Sequence, residues 1–371
     1  MKPIVLVAAL ALAGSALPAR QAPGPTRFTG EAPAAPPLSL WYRAPATEWV
    51  GALPVGNGRL GAMVFGGVVQ ERLQLNEDTL WSGRPYDPVN PDAKAALPEV
   101  RRLLAAGMHR EAAALVSQKV MAKPLAQMAY QTLGDLLLTF PQPDSVDRYR
   151  RDLDLATATA RVSYTAGDAG YTREVFASAP DDVIVVRLTA NRPGQISFEA
   201  RLQTPQRATV EATAAGDLVM RGVNGDGRGT TADGRAMTGA LRFEARVRIV
   251  AAGGTRTASG DAVVVRGADS VTLLIAAATS YRRFDDVSGD PGARVASALD
   301  AAGRQSIDTL RAAHVRDYQQ LFNRVTLDLG PSLPAPTDER VRGFARGGDP
   351  GLAALYFHYG RYLLIASSRP G

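Results

Sequence analysis

The sequence predicts a mainly β chain in which a large antiparallel sandwich, residues 39–289, precedes a helical region. Three observations point there. Short runs rich in β-branched and aromatic residues succeed one another from Asp135 to Ala278, with turn residues between them and no helical pattern. Strands of an antiparallel sandwich read this way, whereas a parallel sheet would alternate strands with helices. The texture changes at Asp290, after which apolar residues fall at helical spacing. The final stretch, "DPGLAALYFHYGRYLLIASSRPG", places Leu352, Leu355, Tyr356, Phe357, Tyr359, Tyr362, Leu363, Leu364 and Ile365 around nearly the whole circumference of a helix. A helix apolar all round belongs in a large helical core.

From the N-terminus, residues 1–19 read as a secretory signal. Lys2 supplies the positive n-region, Ile4 to Ala13 the apolar stretch, and Ala16 or Ala19 a small-residue cleavage site. The apolar run is too short for a stable membrane span. Pro and Ala dominate residues 20–38, as in a linker without fixed structure. Gly56-Asn57-Gly58-Arg59-Leu60-Gly61 then matches the G-x-G-x-x-G of dinucleotide-binding folds, and the acidic pair Glu77 and Asp78 follows about twenty residues on. The setting argues against a nucleotide. Ala52 to Val55 is short and includes Pro54, which cannot donate to a sheet ladder. Gly66-Gly67 would break a helix soon after it began. Val69, Leu73 and Leu75 alternate with Gln70, Arg72, Gln74 and Asn76. Two apolar runs around Gly66-Gly67 therefore read as a β-hairpin with both central turn positions at positive φ. The glycines at 56, 58 and 61 read as turn and close-approach positions.

A helical patch follows from Asp92 to Val120, interrupted at Gly107. Strands run from Asp135–Phe140 to Val271–Ala278, with "TAGDAGYT" and "NRPGQ" among the turns. Residues 290–336 form a helical linker, with helices over 293–302 and 306–322. Thr337 reads as the N-cap of a further helix whose first turn holds Asp338 and Glu339. No later element remains to cover the last helix, and Pro370-Gly371 reads as a turn into something further, so the chain looks cut off.

Composition excludes several classes. The 371 residues include no cysteine, which rules out a disulfide framework, a thiol nucleophile and Cys-ligated metals. The net charge of +6 comes from 42 Lys and Arg against 36 Asp and Glu, and the arginines are scattered singly, as at Arg242, Arg246 and Arg248. No compact basic run tracks phosphates, so nucleic acid is not expected as a partner. His109, His314 and His358 lie far apart without metal-ligand spacing. No metal or cofactor is expected, and His314 and His358 read as packing histidines on apolar helices.

Several motifs stand together: "WYRAPATEWVGALPVGNGRLGAMVFGG", "ERLQLNEDTLWSGRP", "GDLLLTF", "YRRDLDLATATARVSY", "YTREVFAS", "TSYRRFDD", "HVRDYQQLFNRVTLDLG" and "LYFHYGRYLLIASSRPG". Together they closely resemble the N-terminal part of glycoside hydrolase family 95, the α-L-fucosidases of bacteria and plants. The resemblance runs from about Leu40 to Gly371, with only Arg207 to Arg235 family-neutral. It implies an N-terminal antiparallel β-super-sandwich over 39–289, linker helices over 290–336, and at 337–371 the first helix of an incomplete (α/α)6 barrel. It implies inverting cleavage of terminal α-L-fucose, or α-L-galactose, on fucosylated oligosaccharides by a secreted or periplasmic enzyme. The family's acid and base-assisting residues are expected downstream of Gly371, so this chain alone is expected to be inactive.

Among the residues present, Asn76, Glu77 and Trp81 are the candidate substrate-binding set. Asn76 to Thr79 reads as a structured turn in which Asn76 or Asp78 bonds its own backbone. The functional alternative is that this loop, with Trp81, faces a sugar cleft. An aromatic face packs well on the C–H face of a sugar. Trp41 and Trp49 read as core or interface residues. A second function class, a non-catalytic carbohydrate-recognition or interaction module, differs in that it would have no reason to expose the apolar helix Leu352–Ile365.

Overall fold

The computed structural model describes residues 26–32 and 35–369. The expected signal over 1–19 and most of the expected linker over 20–38 lie outside them. The linker's described part departs from expectation, because Arg27–Thr29 is a short strand, β1.

The early strands are β2 (Ser39–Tyr42), β3 (Leu53–Gly56), β4 (Leu60–Val64), β5 (Gln70–Glu77), β6 (Gly134–Thr139) and β7 (Ser145–Asp154). Next come β8 (Thr159–Ala166), β9 (Ala169–Ser178), β10 (Val183–Ala190), β11 (Ile196–Gln203), β12 (Arg207–Ala212) and β13 (Leu218–Val223). The last are β14 (Arg242–Ala252), β15 (Thr255–Ser259), β16 (Ala262–Ala268) and β17 (Ser270–Thr279). One sheet has the order β1-β7-β8-β9-β10-β17-β14-β13-β12, with β2 also on β7; the other runs β15-β16-β11-β6-β5-β4-β3. Pairing is antiparallel throughout except between β1 and β7. The protein is therefore mainly β, as the strand runs foretell.

The two sheets share one core. Leu53, Leu73, Leu75 and Leu136 come from the smaller sheet; Leu153, Val175, Val247 and Leu273 come from the larger, all at most 2% exposed. The larger sheet is apolar on its other face too. Phe176, Val183, Val185, Leu274 and Ala276 pack there against Val295, Leu299 and Leu310. Burial on both faces explains why residues 183–186 of β10 and 273–278 of β17 read as unbroken apolar runs instead of alternating ones. Covering a side chain such as Leu299 in this way contributes about 1.5–3 kcal/mol relative to leaving it in water.

Two local expectations are corrected. Residues 53–56 do form a strand despite Pro54, because β3 is the edge of its sheet and the missing N–H costs no ladder bond there. The β4–β5 connection is not a two-residue turn: it spans 65–69, and only Gly66 has positive φ (79°). Glu71 closes it. Its carboxylate lies on the apolar face of β5, fully buried, where it accepts from Gly66 N at 2.8 Å and pairs with Arg173.

The helices are α1 (Ala93–Ala105), α2 (His109–Lys119), α3 (Pro291–Gly303), α4 (Ile307–Phe322), α5 (Thr337–Gly343) and α6 (Pro350–Ser367). Asp290 and Ser306 cap α3 and α4, accepting from Ala293 N and Thr309 N at 3.1 Å. Thr337 is not a cap. It is the first residue of α5, and its hydroxyl accepts the N–H of Trp41 at 2.9 Å. His314 and His358 are buried, with Nε2 against the carbonyls of Thr157 (3.0 Å) and Leu327 (3.1 Å). Helix α6 has partners after all: Leu352, Leu355 and Tyr362 join the shared core, and the Tyr362 hydroxyl donates to Pro54 O at 2.6 Å. Its opposite face carries Tyr356 and Leu364, 77% and 67% exposed. Among the described residues no helix is long and apolar enough to cross a membrane.

The start of α6 rests on a buried fork. Arg340 donates Nε and Nη2 to the Asp349 carboxylate at 2.8 and 2.9 Å, and the same carboxylate accepts Leu352 N at 3.1 Å. Asp349→Ala leaves a buried guanidinium unpaired and a helix uncapped, so it is expected to cost about 3–5 kcal/mol in urea unfolding. Asp349→Asn, which keeps an acceptor, should cost clearly less. Equal losses for the two variants would show that the ion pair does not hold this junction.

Candidate functional site

The turn between β3 and β4 sets one guanidinium in place. Asn57 Oδ1 accepts Arg59 N (3.0 Å) and Leu60 N (2.7 Å), while its Nδ2 donates to Ser178 O on the other sheet (3.0 Å). Gly58 takes φ 95°, and a side chain there would meet Arg369; one at Gly56 would meet the Ala366 carbonyl. The glycines of the G-x-G-x-x-G match thus admit the end of α6, and a strand, not a helix, follows them.

Arg59 leaves this turn and spans the ends of both sheets. Its Nε and Nη2 grip Asp182 at 2.9 and 2.7 Å. Its Nη1 donates to Ala277 O (2.7 Å) and to Glu77 Oε1 (3.2 Å). Glu77, the last residue of β5, is 3% exposed, and its second oxygen accepts Thr79 N (2.9 Å) and Oγ1 (2.7 Å). The Thr79 hydroxyl meets that of Thr279, at the end of β17, in a short hydrogen bond. These contacts stitch the sheets together at one end and floor a cleft lined by Arg59, Glu77, Asp78, Thr79 and Asp182.

Burial raises the Glu77 carboxyl to about 7; the Thr79 hydrogen bonds and Arg59 pull it down, and Asp78 pushes it up. The ion-pair geometry would favour the charged form, yet desolvation prevails. The guanidinium is shared among three acceptors, and its better-aligned edge belongs to Asp182. Asp78 is also raised, chiefly by burial. The Tyr130 hydroxyl donates to Glu77 O at 3.0 Å and is pushed up to about 12 by burial and by the two neighbouring carboxylates.

Beyond Thr79 the chain turns to Trp81, whose indole N–H donates to Asp78 O at 3.0 Å and whose ring meets Tyr130 edge-on at 5.4 Å. The ring is 46% exposed and lines a second trough with Tyr86, Tyr281 and Phe284. Asn224, fully buried, fixes this loop by donating to Trp81 O and Gly83 O at 2.6 and 2.8 Å. Glu77 and Trp81 are therefore brought to adjoining parts of one cleft. Asn76 is not: it sits on β5 opposite Gly61, and alternation turns it to the other face from Glu77. The side chain tying the turn is that of Glu77, where Asn76 or Asp78 was expected. Trp49 is 53% exposed and lies outside the core; Trp41 is half-buried beneath the Arg43 guanidinium. Sequence reasoning missed Arg59, Asp182, Asn224 and Thr279. Among the described residues no group of three or more His, Asp or Glu is gathered as for a metal.

The Glu77 shift has a signed consequence. The folded value of about 7 exceeds the ordinary 4.5, so the protonated form is favoured in the fold. Its contribution to stability is full below pH 4.5 and is lost as pH rises through 7. Relative to Glu77→Gln, the unmodified protein should lose about 3 kcal/mol of unfolding free energy over that window. A flat difference between pH 4.5 and 8 in urea titrations would refute the assignment.

Residues 40–283 match the glycosyl hydrolase family 65 N-terminal domain, and residues 306–371 the glycosyl hydrolase family 95 catalytic domain. The chain is 38% identical to "Alpha-L-fucosidase 2" of Arabidopsis thaliana, over 90% of this chain and 42% of that protein. It is 31% identical to "Probable alpha-fucosidase A" of Aspergillus niger, over 91% of this chain and 44% of that protein. The corresponding Aspergillus oryzae protein is 29% identical, over 89% and 47%. The chain spans less than half the length of these curated relatives. With the first match covering well over half of its residues, the chain belongs to the glycoside hydrolases that carry a family 65 N-terminal domain.

Proposed function

We propose that this chain is the N-terminal portion of a secreted or periplasmic glycoside hydrolase that removes terminal α-L-fucose, or α-L-galactose, from glycans with inversion. The observation that supports it most is the run of relatives named as fucosidases along about nine-tenths of the chain. On this reading the two sheets over 39–289 are the family's β-super-sandwich, 290–336 its helical linker, and 337–371 the opening of an (α/α)6 barrel. Lys2 and the apolar run after it support export.

Inverting hydrolysis needs a protonated acid and a water-activating carboxylate on opposite faces of the sugar, roughly 6.5–9.5 Å apart. Glu77 has a proton to give near neutral pH, but both of its oxygens are already engaged, by Arg59 and by Thr79. Asp182 is held in the fork of Arg59. We therefore assign Glu77 and Asp182 to building the cleft, Trp81 to contact with the sugar ring, and the acid and base to family 95 segments outside these residues.

The purified 371-residue chain is expected to give no turnover of a nitrophenyl α-L-fucoside or of a 2′-fucosylated oligosaccharide. Turnover abolished by Glu77→Gln would put the acid on this cleft and overturn the assignment. In a polypeptide extended to the length of the relatives, Trp81→Ala should weaken fucoside hydrolysis while leaving the thermal midpoint nearly unmoved. A large fall in the midpoint with unchanged kinetics would make Trp81 structural.

A further inference from the structure

The cleft does not end at Trp81. The charged trough around Arg59 and Glu77 shares Thr79 and Tyr281 with the aromatic trough, and the aromatic trough shares Arg84, Pro85 and Tyr86 with a third. The far wall of the third holds Thr231, Asp233 and Arg235. In order, the volumes are 760, 410 and 630 Å³. Each alone lies within the ~300–1,000 Å³ usual for one small-molecule site, so the three adjoining troughs together offer far more room than a single sugar fills.

Its chemistry changes along its length in a way that suits one kind of ligand. In the middle, the rings of Phe284 (80% exposed), Trp81 and Tyr281 present apolar faces to solvent. At the junction with the third trough, Arg84 and Tyr86 make no side-chain hydrogen bond or ion pair among the described residues, which leaves their donors open to a ligand. Charges at both ends are cancelled locally: Arg59 by Asp182 at 2.7 Å and Arg235 by Asp233 at 2.6 Å. At those two ends a polyanion would find each arginine already paired. A neutral polyhydroxyl chain would find stacking faces and hydrogen-bond donors in alternation. The floor is fixed in advance, since Asn224 ties 81–83 and Gln131 Oε1 accepts Gly225 N at 2.9 Å. That lowers the ordering cost of binding.

We propose that this groove is an extended subsite for a neutral oligosaccharide, holding the sugars that precede the terminal residue. The inference rests on the carbohydrate reading of the Trp81 cleft given above. It adds that recognition grows with chain length and lies largely outside the sugar removed.

The test uses the 371-residue chain on an array of neutral glycans one to six sugars long, each with and without a terminal α-L-fucose, and on free L-fucose. Binding is expected to strengthen from one to at least three sugars and to persist without the fucose. Phe284→Ala and Arg84→Ala should each weaken it about tenfold. Both side chains lie at the surface of the groove, so their thermal midpoints should match the parent. No binding at any length, or binding to L-fucose as strong as to longer glycans, would overturn the proposal. Length-dependent binding without fucose dependence, combined with no fucoside cleavage by the extended enzyme, would keep the groove and remove the fucosidase reading. Fucose-dependent binding indifferent to length would do the reverse.

Discussion

The Arg59 guanidinium is the constraint on which the cleft end of this protein depends. Two sheets that share an apolar core are free to slide and splay at their ends, because apolar contact is non-directional. Directional bonds must fix the alignment there. Arg59 supplies four, reaching from the β3–β4 turn to Glu77 on its own sheet and to Asp182 and Ala277 on the other. Asn57 to Ser178 and Thr79 to Thr279 repeat the crossing on either side. The cleft is where these crossings leave the sheet ends open.

The same turn seats the last helix. Gly58 N donates to Ala366 O at 2.8 Å, and Tyr362 reaches back to Pro54 O. A larger residue at 56 or 58 would strike Ala366 or Arg369. Six residues that imitate a phosphate loop therefore serve another physical need: an arginine aimed across the sheets on one side and close helix approach on the other. The cleft and the last helix, within the stretch from 306 that matches the family 95 catalytic domain, are thereby joined through one short piece of backbone. A change at this turn should be felt in both.

Much of the fold was legible because burial leaves a pattern. Residues 183–186 of β10 and 273–278 of β17, covered on both faces, read as continuous apolar runs, and α4 as a helical stripe. What escaped notice was mostly exposed. Strands β1 and β15 have no buried residue, and β12 has none below intermediate exposure, so no alternating stripe marks them. The candidate site was half legible. Glu77 and Trp81 sit in one conspicuous local stretch, whereas Asp182 and Ala277 meet Arg59 across 123 and 218 positions of chain. Pairing at such distances leaves no local signal. One signal was present and passed over: Glu71 falls on the apolar face of its strand, and a charge in that position must find a buried partner.

The central claim, that Arg59 compensates a buried Glu77 while joining the sheets, is tested most directly by a double-mutant cycle of Arg59→Met and Glu77→Gln at two pH values. At pH 8 Arg59→Met strands a charged, buried carboxylate, so coupling between the two changes should be at least about 2 kcal/mol in unfolding free energy. At pH 4.5 Glu77 carries its proton and the coupling should shrink to a few tenths of a kcal/mol. Additive losses at both pH values would contradict the account and reduce Arg59 to a surface ion pair with Asp182.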